Sequence, residues 1–502
     1  MNLAHLLDQT ATEHPERVAF INAEQQLSYQ EFQKQSMALA GGLKQLGVGK
    51  GDRVAIMLPN ILPFPVLTYA IWRVGAQLVT LNPLMKSQEV AYILTDSEAL
   101  VLVTLGALAE ALELPDYQGA WVVLGETSRQ AVPYLQLFQA DPVIQPEPLE
   151  ADEVVAVIYT SGTTGRPKGA MLTSRNLDFN SAVAVEAIKL TVADRFYCVL
   201  PLFHVYALNV ALLVCVRGGA SVFLEPRFVP QVTLKHLKEY NCTTFIGVPA
   251  LFGALLAASK EGDLQKLRCC ISGSAPLPVA VLNQFEEKFQ TVILEGDGPT
   301  ECSPIASFNP IDGTRKIGSI GIPLAGIEMA IVNPDTDEFI PVGDVGEIVV
   351  KGPNVFKGYL NQPEETAKVL KNDWYHTGDL GYVDKDGYFY IVDRIKDLII
   401  VGGLNVYARE VEEILYQYPA VVACAVVGEY DTLRGEVVHA FVEIKEHKNS
   451  IEQDIIKFTR EKLADYKCPR KVTVLDQLPR SLTGKILKRT LKEGLKGYPL
   501  KE

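Results

Sequence analysis

Apolar residues recur at helical spacing through "LSYQEFQKQSMALAGGLKQLG", a pattern that stops at Gly47. The next run, "RVAIMLP", is short and continuous and reads as a strand. "LPFPVLTYAIWRVG" then reads as a mostly buried helix and "QLVTL" as a strand. "EVAYILTDS" and "ALVLVT" repeat the order of helix, then strand. This alternation predicts an α/β fold whose sheets are largely parallel. The grain changes from about Asp393, where the elements shorten. "YAREVEEILYQY" and "IEQDIIKFTREKLADY" read as helices, and "VVACAVVG" and "VVHAFVEIK" as strands. A small α+β module is therefore expected after a large α/β body. The join falls at "DRIKDLII", where charges cluster between two apolar strands.

The chain has 502 residues, with 47 basic and 60 acidic side chains and a net charge of −13. That balance argues against nucleic acid as a partner, since phosphate backbones need a basic face. It leaves room for a local basic pocket. The eight cysteines form no C-x-x-C pair, and neither they nor the seven histidines show ligand spacing. Buried free thiols are expected instead of a disulfide framework or a zinc site. The most apolar segments carry Arg73 and Arg217 and read as buried elements, not as membrane spans. The N-terminal stretch has no basic start and apolar core, so no signal peptide is predicted. A cytoplasmic protein is expected, with peripheral contact to a membrane left open.

One stretch carries chemistry on its face. "IYTSGTTGRPKGAML" packs Thr160, Ser161, Gly162, Thr163, Thr164 and Gly165 ahead of Lys168. Glycines let a backbone approach a ligand closely, hydroxyls donate, and the lysine adds a compact charge. The loop lies between two apolar runs, so a flexible linker is the weaker reading. It is not a Walker A loop: Pro167 stands where the second Gly should be, and Gly169, not Ser or Thr, follows the lysine. The following helix starts late, with Ser174 expected as its N-cap. No helix N-terminus sits under this phosphate, so the loop must work by its own donors.

Four more islands follow: "LPLFHVYALN" at 200–209, "EGDGPTE" at 295–301, "WYHTGDLGYVDKDGYFYIVDRIKDLIIVGG" at 374–403 and "RSLTGK" at 480–485. Together with the loop, in this order, they resemble the adenylate-forming (ANL) superfamily over almost the whole chain. "LPLFHVYALN" is most similar to 4-coumarate–CoA ligases and bacterial fatty acyl-CoA synthetases. The resemblance implies a large adenylation domain at 1–393, a hinge at 394–396 centred on Lys396, and a mobile C-terminal domain at 397–502. It implies two half-reactions: acid plus ATP gives acyl-AMP and pyrophosphate, and a thiol then expels AMP. ATP and Mg²⁺ are the implied cofactors and coenzyme A the co-substrate. The phosphate loop would hold the part of ATP that leaves as pyrophosphate.

Site roles follow from the same resemblance. Thr300 would donate to the α-phosphate, and Glu301 would be the Mg²⁺ carboxylate. Asp379 would anchor the ribose, with Arg394 as a second ribose or phosphate contact. Lys485 would be the adenylation lysine. Gly273, Ser274 and Ala275, with Glu295, Gly296 and Asp297, would line the adenine side. His204, Tyr206, Gly298, Pro304, Ile305 and Ala306 would line the acid pocket, and Gly402 and Gly403 the thiol tunnel. Each has a plainer reading: Asp379 as a turn residue beside Gly378, His204 as a core histidine, Lys396 as a surface charge. The company of the other islands favours the site. Asp297 departs from the pattern, because relatives carry an aromatic residue there that stacks on adenine. Either another ring, Tyr382 or Phe308, covers the base, or backbone contacts hold it.

A medium- or long-chain fatty acid is the expected substrate, because no polar group can be assigned to a ring hydroxyl. An aryl or cinnamate acid, and transfer to an acyl carrier protein instead of coenzyme A, stay open as alternatives. An amino-acid adenylation module is disfavoured, since "FHVYALNVALL" offers no carboxylate for an α-amino group. A monomer or a homodimer is expected.

Overall fold

The computed structural model describes residues 1–160, 166–260, 263, 266–445, 451–480 and 486–495. Two large sheets form the body. In one, the strands Ile293–Asp297, Cys269–Ser272, Thr244–Gly247, Arg195–Cys198, Ser221–Leu224 and Val18–Ile21 lie side by side and parallel. In the other, Val154–Thr160, Gln77–Thr80, Arg53–Met57, Val101–Leu105, Ala120–Leu124 and Val132–Pro133 do the same. Antiparallel strands finish the edges of both. The parallel strands are Val-, Ile- and Leu-rich because they are covered on both faces.

A layer of helices is sandwiched between the sheets. Tyr29–Gln45, Pro63–Arg73 and Ser174–Ala187 bury their apolar faces there, in one continuous core. Separate apolar clusters cover the outer face of each sheet, under Val279–Phe289 on one and Ser87–Asp96 on the other. Helix Pro63–Arg73 shows how an apolar segment tolerates its charge. The Arg73 side chain is fully buried and ion-paired to Asp8. All eight cysteines are buried and free. Among the described residues, no helix is long and apolar enough to cross a membrane.

A third, antiparallel sheet follows, built from Glu328–Val332, Gly346–Lys351, Trp374–Val383 and Phe389–Arg394, with Leu370–Lys371 at an edge. The chain leaves it through one tight turn, Ile395–Asp397, and enters a smaller body. There the hairpin Val421–Asp431/Gly435–Ile444 carries helices Ala408–Tyr416 and Ile451–Arg460 on its buried face. The two bodies touch at the turn. The Asp393 carboxylate accepts from the backbone N–H of Ala408 at 2.5 Å, and Arg409 donates to the Ile391 carbonyl.

One boundary differs from the sequence reading. Thr173, not Ser174, caps the helix after the phosphate loop. Its hydroxyl accepts from Asn176 N at 3.2 Å, and Asn176 Oδ1 accepts from Thr173 N at 2.7 Å. This reciprocal cap claims the earlier residue. Ser174 Oγ instead donates to the Met1 carbonyl.

Candidate active site

Two of the sequence islands, and the "GSA" of residues 273–275, leave the carboxyl ends of parallel strands in one sheet. "LPLFH" follows Arg195–Cys198, "GSA" follows Cys269–Ser272, and "GPTE" follows Ile293–Asp297. The connection from Arg195–Cys198 runs to Ser221–Leu224 on one side, and that from its other neighbour, Thr244–Gly247, runs to Cys269–Ser272 on the other, so the two leave in opposite directions. A crevice opens at such a switch point in parallel sheets. His204, Tyr206 and Ser274 meet there with Leu200, Pro201 and Val248 around a narrow, closely packed cleft. His204 caps a short helical turn by accepting from Tyr206 N at 3.3 Å. Tyr206 donates to the Ile271 carbonyl at 3.1 Å, and its ring lies 3.4 Å from where a Cβ on Gly273 would stand. Ser274 holds a positive φ of 68° at the rim.

A second pocket, wholly apolar and with an internal volume of about 20 Å³, lies between the helix Ser174–Ala187 and the loop that carries Ile305. Its walls are Ala184, Ala187, Ile188, Val210, Val214, Ile271, Ile305, Phe308 and Leu324. Ile271 belongs to this wall, and its carbonyl accepts from Tyr206 of the first cleft, which links the two spaces. Residues Leu208–Leu213, which supply part of the wall, are wound as a π-helix. Such turns are rare and concentrate at functional sites.

The turn Thr300–Cys302 and the loop after it form the far wall. Three fully buried asparagines hold that loop. Asn180 Nδ2 donates to the Ile305 carbonyl at 2.7 Å, Asn209 Nδ2 to the Ser303 carbonyl at 2.6 Å, and Asn354 Nδ2 to the Cys302 carbonyl at 3.2 Å. Asn209 also donates to Asn180 Oδ1 at 2.6 Å. Gly298 must lack a side chain here, because a Cβ would stand 1.7 Å from the Pro304 carbonyl oxygen. Ala306 N donates to the Asp297 carbonyl at 2.9 Å, which fixes Gly298, Pro304, Ile305 and Ala306 in one folded unit. Glu301 is buried, and the Tyr359 hydroxyl donates to its Oε1 at 2.7 Å.

Electrostatics tie this wall to the third sheet. Asp379 and Arg394 face each other across paired strands and bond at 2.9 Å. The guanidinium pKa is raised by Asp379 first, with Asp397 and Asp297 adding to it. The islands at 295–301 and 374–403 thus share one field. Glu347 braces the turn before Asp379: its carboxylate accepts from Gly378 N at 2.9 Å and lies 2.8 Å from His376 Nδ1. Glu295 is buried, and burial pushes its carboxyl up to about 7. Gly296 packs against Phe308, whose ring would lie 2.4 Å from a Cβ there. Of the two rings considered for adenine, Phe308 lines the apolar cavity, and Tyr382 is stacked on Tyr390 with centroids 4.8 Å apart.

On the phosphate side, Thr160 and Lys168 close a hairpin between Val154–Thr160 and Lys168–Thr173. The Lys168 ammonium is paired with Glu365. Ser161, Gly162, Thr163, Thr164 and Gly165 lie outside the described residues, as does Lys485. Lys396 is exposed on the turn between the two bodies. Gly402 and Gly403 are not gathered into the crevice. They form the exposed turn of the hairpin Ile399–Val401/Leu404–Val406, with φ of 58° and 84°, and a Cβ on either would meet nothing within 4 Å. Their backbone angles account for glycine there.

Sequence reading missed several of these residues. Tyr359 and Glu365 sit in "GYLNQPEETA", which has no glycine-rich or charged pattern to betray it. Asn180 and Asn209 were visible only as polar residues in apolar runs. The far cavity wall of Ala184, Ala187 and Ile188 reads as ordinary helix.

As it stands, the structure offers a lysine at the base of the hairpin Val154–Thr160/Lys168–Thr173, a buried carboxylate at Glu301 and the Asp379–Arg394 pair, with a separate apolar pocket walled in part by Ile305. No cluster of three or more His, Cys, Asp and Glu side chains that could cage a metal exists among the described residues. A hard cation bound chiefly by substrate phosphates needs only one or two protein carboxylates, which Glu301 fits.

Residues 7–360 match the family model described as AMP-binding enzyme, and residues 410–485 match its C-terminal domain. The chain is 35% identical to a long-chain-fatty-acid–CoA ligase of Bacillus subtilis (strain 168), over 98% of this chain and 94% of that one. It is 38% identical to a feruloyl-CoA synthase of Amycolatopsis sp, over 92% of each. The ATP-bound crystal structure of MatB from Rhodopseudomonas palustris superposes with a TM-score of 0.90 at 33% identity, covering 98% of this chain and 99% of that one. The chain belongs to the AMP-binding enzyme family and is an ATP-using acyl-CoA ligase of the adenylate-forming superfamily.

Proposed function

We propose that this enzyme activates a medium- or long-chain fatty acid to acyl-AMP and transfers the acyl group to coenzyme A. The observation that carries the choice of acid is the apolar pocket walled by Ile271 and Ile305, whose nine lining residues include no polar side chain. A ring hydroxyl buried there would lose its water without gaining a partner, at a cost of about 1–3 kcal/mol. An alkyl chain loses nothing and gains the burial of each methylene. The substrate carboxylate is already a nucleophile, so adenylation needs positioning and charge neutralisation more than a base. In this reading Lys168 meets the phosphates that leave, Thr300 donates to the α-phosphate, and Asp379 with Arg394 holds the ribose. Glu301 would hold Mg²⁺, which supplies positive charge to the phosphate oxygens when bound. Lys485 would serve adenylation alone. The small body would turn at 394–396, about Lys396, to present the hairpin at Gly402 and Gly403 for thioester formation. A cytoplasmic setting agrees with eight free, buried thiols.

An aryl-propenoic acid is the second reading, favoured by the likeness to the feruloyl-CoA synthase. A turnover panel of straight-chain acids against hydroxycinnamates separates the two. We expect kcat/KM to rise with chain length until the cavity is full, and Ala184→Phe to move the optimum to shorter acids. Turnover of aromatic acids alone would remove the fatty-acid reading.

A further inference from the structure

Lys168 already has a partner in its own fold. Its ammonium is ion-paired with Glu365, and it lies 5.2 Å from the centroid of the Tyr359 ring. The second oxygen of Glu365 meets Lys368. These two ammonium groups hold the Glu365 carboxyl down to about 2, so it is an anion at any working pH.

The arrangement is built, not incidental. The strand Gly358–Tyr359 pairs with the strand that begins at Lys168, with Tyr359 opposite Ala170, and Leu360 N donates to the Gly169 carbonyl at 2.8 Å. The helix Pro363–Val369 folds back onto this strand, because Tyr359 N donates to Thr366 Oγ1 at 2.9 Å. Glu365, one residue earlier, is thereby aimed at Lys168. The Lys168 and Glu365 side chains are 14% and 27% exposed, so a ligand can reach the pair. A polyphosphate offers Lys168 several anionic oxygens where Glu365 offers one charge. A carboxylate left beside a bound polyphosphate repels it.

We propose that Glu365 is the exchangeable counter-ion of Lys168. It holds the ammonium while no polyphosphate is present, releases it to ATP and recovers it as pyrophosphate leaves. The site thereby binds both ligands more weakly than a free lysine would. The inference rests on the reading of the loop at 160–168 as the site of the ATP phosphates.

The test is calorimetric titration of ATP·Mg²⁺, and separately of pyrophosphate·Mg²⁺, into the full-length enzyme without acid. Glu365→Gln should tighten both ligands by roughly five-fold, the worth of one partly exposed ion pair. Glu365→Asp, which keeps the charge but withdraws it by one methylene, should tighten them less. The gain should vanish when Lys168→Ala is added. Equal or weaker binding by Glu365→Gln with an unchanged melting temperature would overturn the exchange and leave Glu365 a structural partner. Tightening that survives in the Lys168→Ala background would also overturn it, as a general effect of charge. Lys168→Ala alone that binds ATP as tightly as the parent would instead remove the reading of the loop itself.

Discussion

Glu295 concentrates the electrostatics of the crevice in one side chain. Its carboxyl is raised from 4.5 to about 7 by burial, with Arg409 of the smaller body working against that rise and Glu413 adding to it. The folded protein therefore holds this proton more tightly than the unfolded chain. Stability from the raised carboxyl is complete below its unfolded value of 4.5 and is lost as pH climbs through about 7. Glu295→Gln keeps an acceptor for Leu277 N, which now lies 3.3 Å from Oε1, and removes the titration. We expect the parent to lose melting temperature relative to Glu295→Gln between about pH 5 and pH 8, with the gap closing at the acid end. Parallel curves over that range would contradict the assignment. Single residues were also where the sequence was easiest to read. His204 and Tyr206 line the cleft, and Asp379 and Arg394 meet across paired strands; all four stand in short motifs that carry their spacing with them. Glu365 and the three buried asparagines were not legible. Their partners lie 197 residues away for Glu365 and Lys168, and 94 for Asn209 and Ser303, and no local pattern records such contacts.

At the level of elements, the crevice depends on a π-helical turn and a loop pinned by asparagines. The helix Ser174–Ala187 serves both ends of the site. Its first turn is capped by Thr173 at the end of the hairpin Val154–Thr160/Lys168–Thr173, and its Asn180 holds the loop at 302–306. Asn209→Leu would deprive the buried Ser303 carbonyl of the Asn209 donor and leave Asn180 Oδ1 with only the Ile305 N–H at 3.3 Å, at a cost of about 1–3 kcal/mol in stability. Because that loop carries Ile305, we expect KM for the acid to rise by roughly ten-fold while KM for ATP stays unchanged. Equal rises in both constants would show that the asparagine supports the fold at large and not the acid pocket. The strands and helices of the first half were legible because burial on both sheet faces demands long apolar runs. The loop geometry was not, since hydrogen bonds to backbone carbonyls leave the residue types of a loop almost free.

Across the whole molecule, the account requires two half-reactions with different demands. Asp393 sits at the end of the third sheet and accepts from Ala408 at the start of the first helix of the smaller body. That bond ties the present orientation to one residue on each side of the turn. If the smaller body turns at 394–396, Lys396→Pro should damage thioester formation more than adenylation. Lys485→Ala should abolish acid-dependent pyrophosphate exchange yet spare thioester formation from supplied acyl-AMP. Equal loss of both half-reactions in Lys485→Ala, or normal overall turnover in Lys396→Pro, would contradict these roles. The most direct measurement follows pyrophosphate release and product mass with ATP·Mg²⁺ over a chain-length series of acids, with and without coenzyme A. The account predicts that coenzyme A accelerates turnover and that acyl-CoA accumulates, with the best acid a medium or long alkyl chain. Accumulation of acyl-AMP at a rate that coenzyme A leaves unchanged would contradict it, and would point to the thiol of a carrier protein.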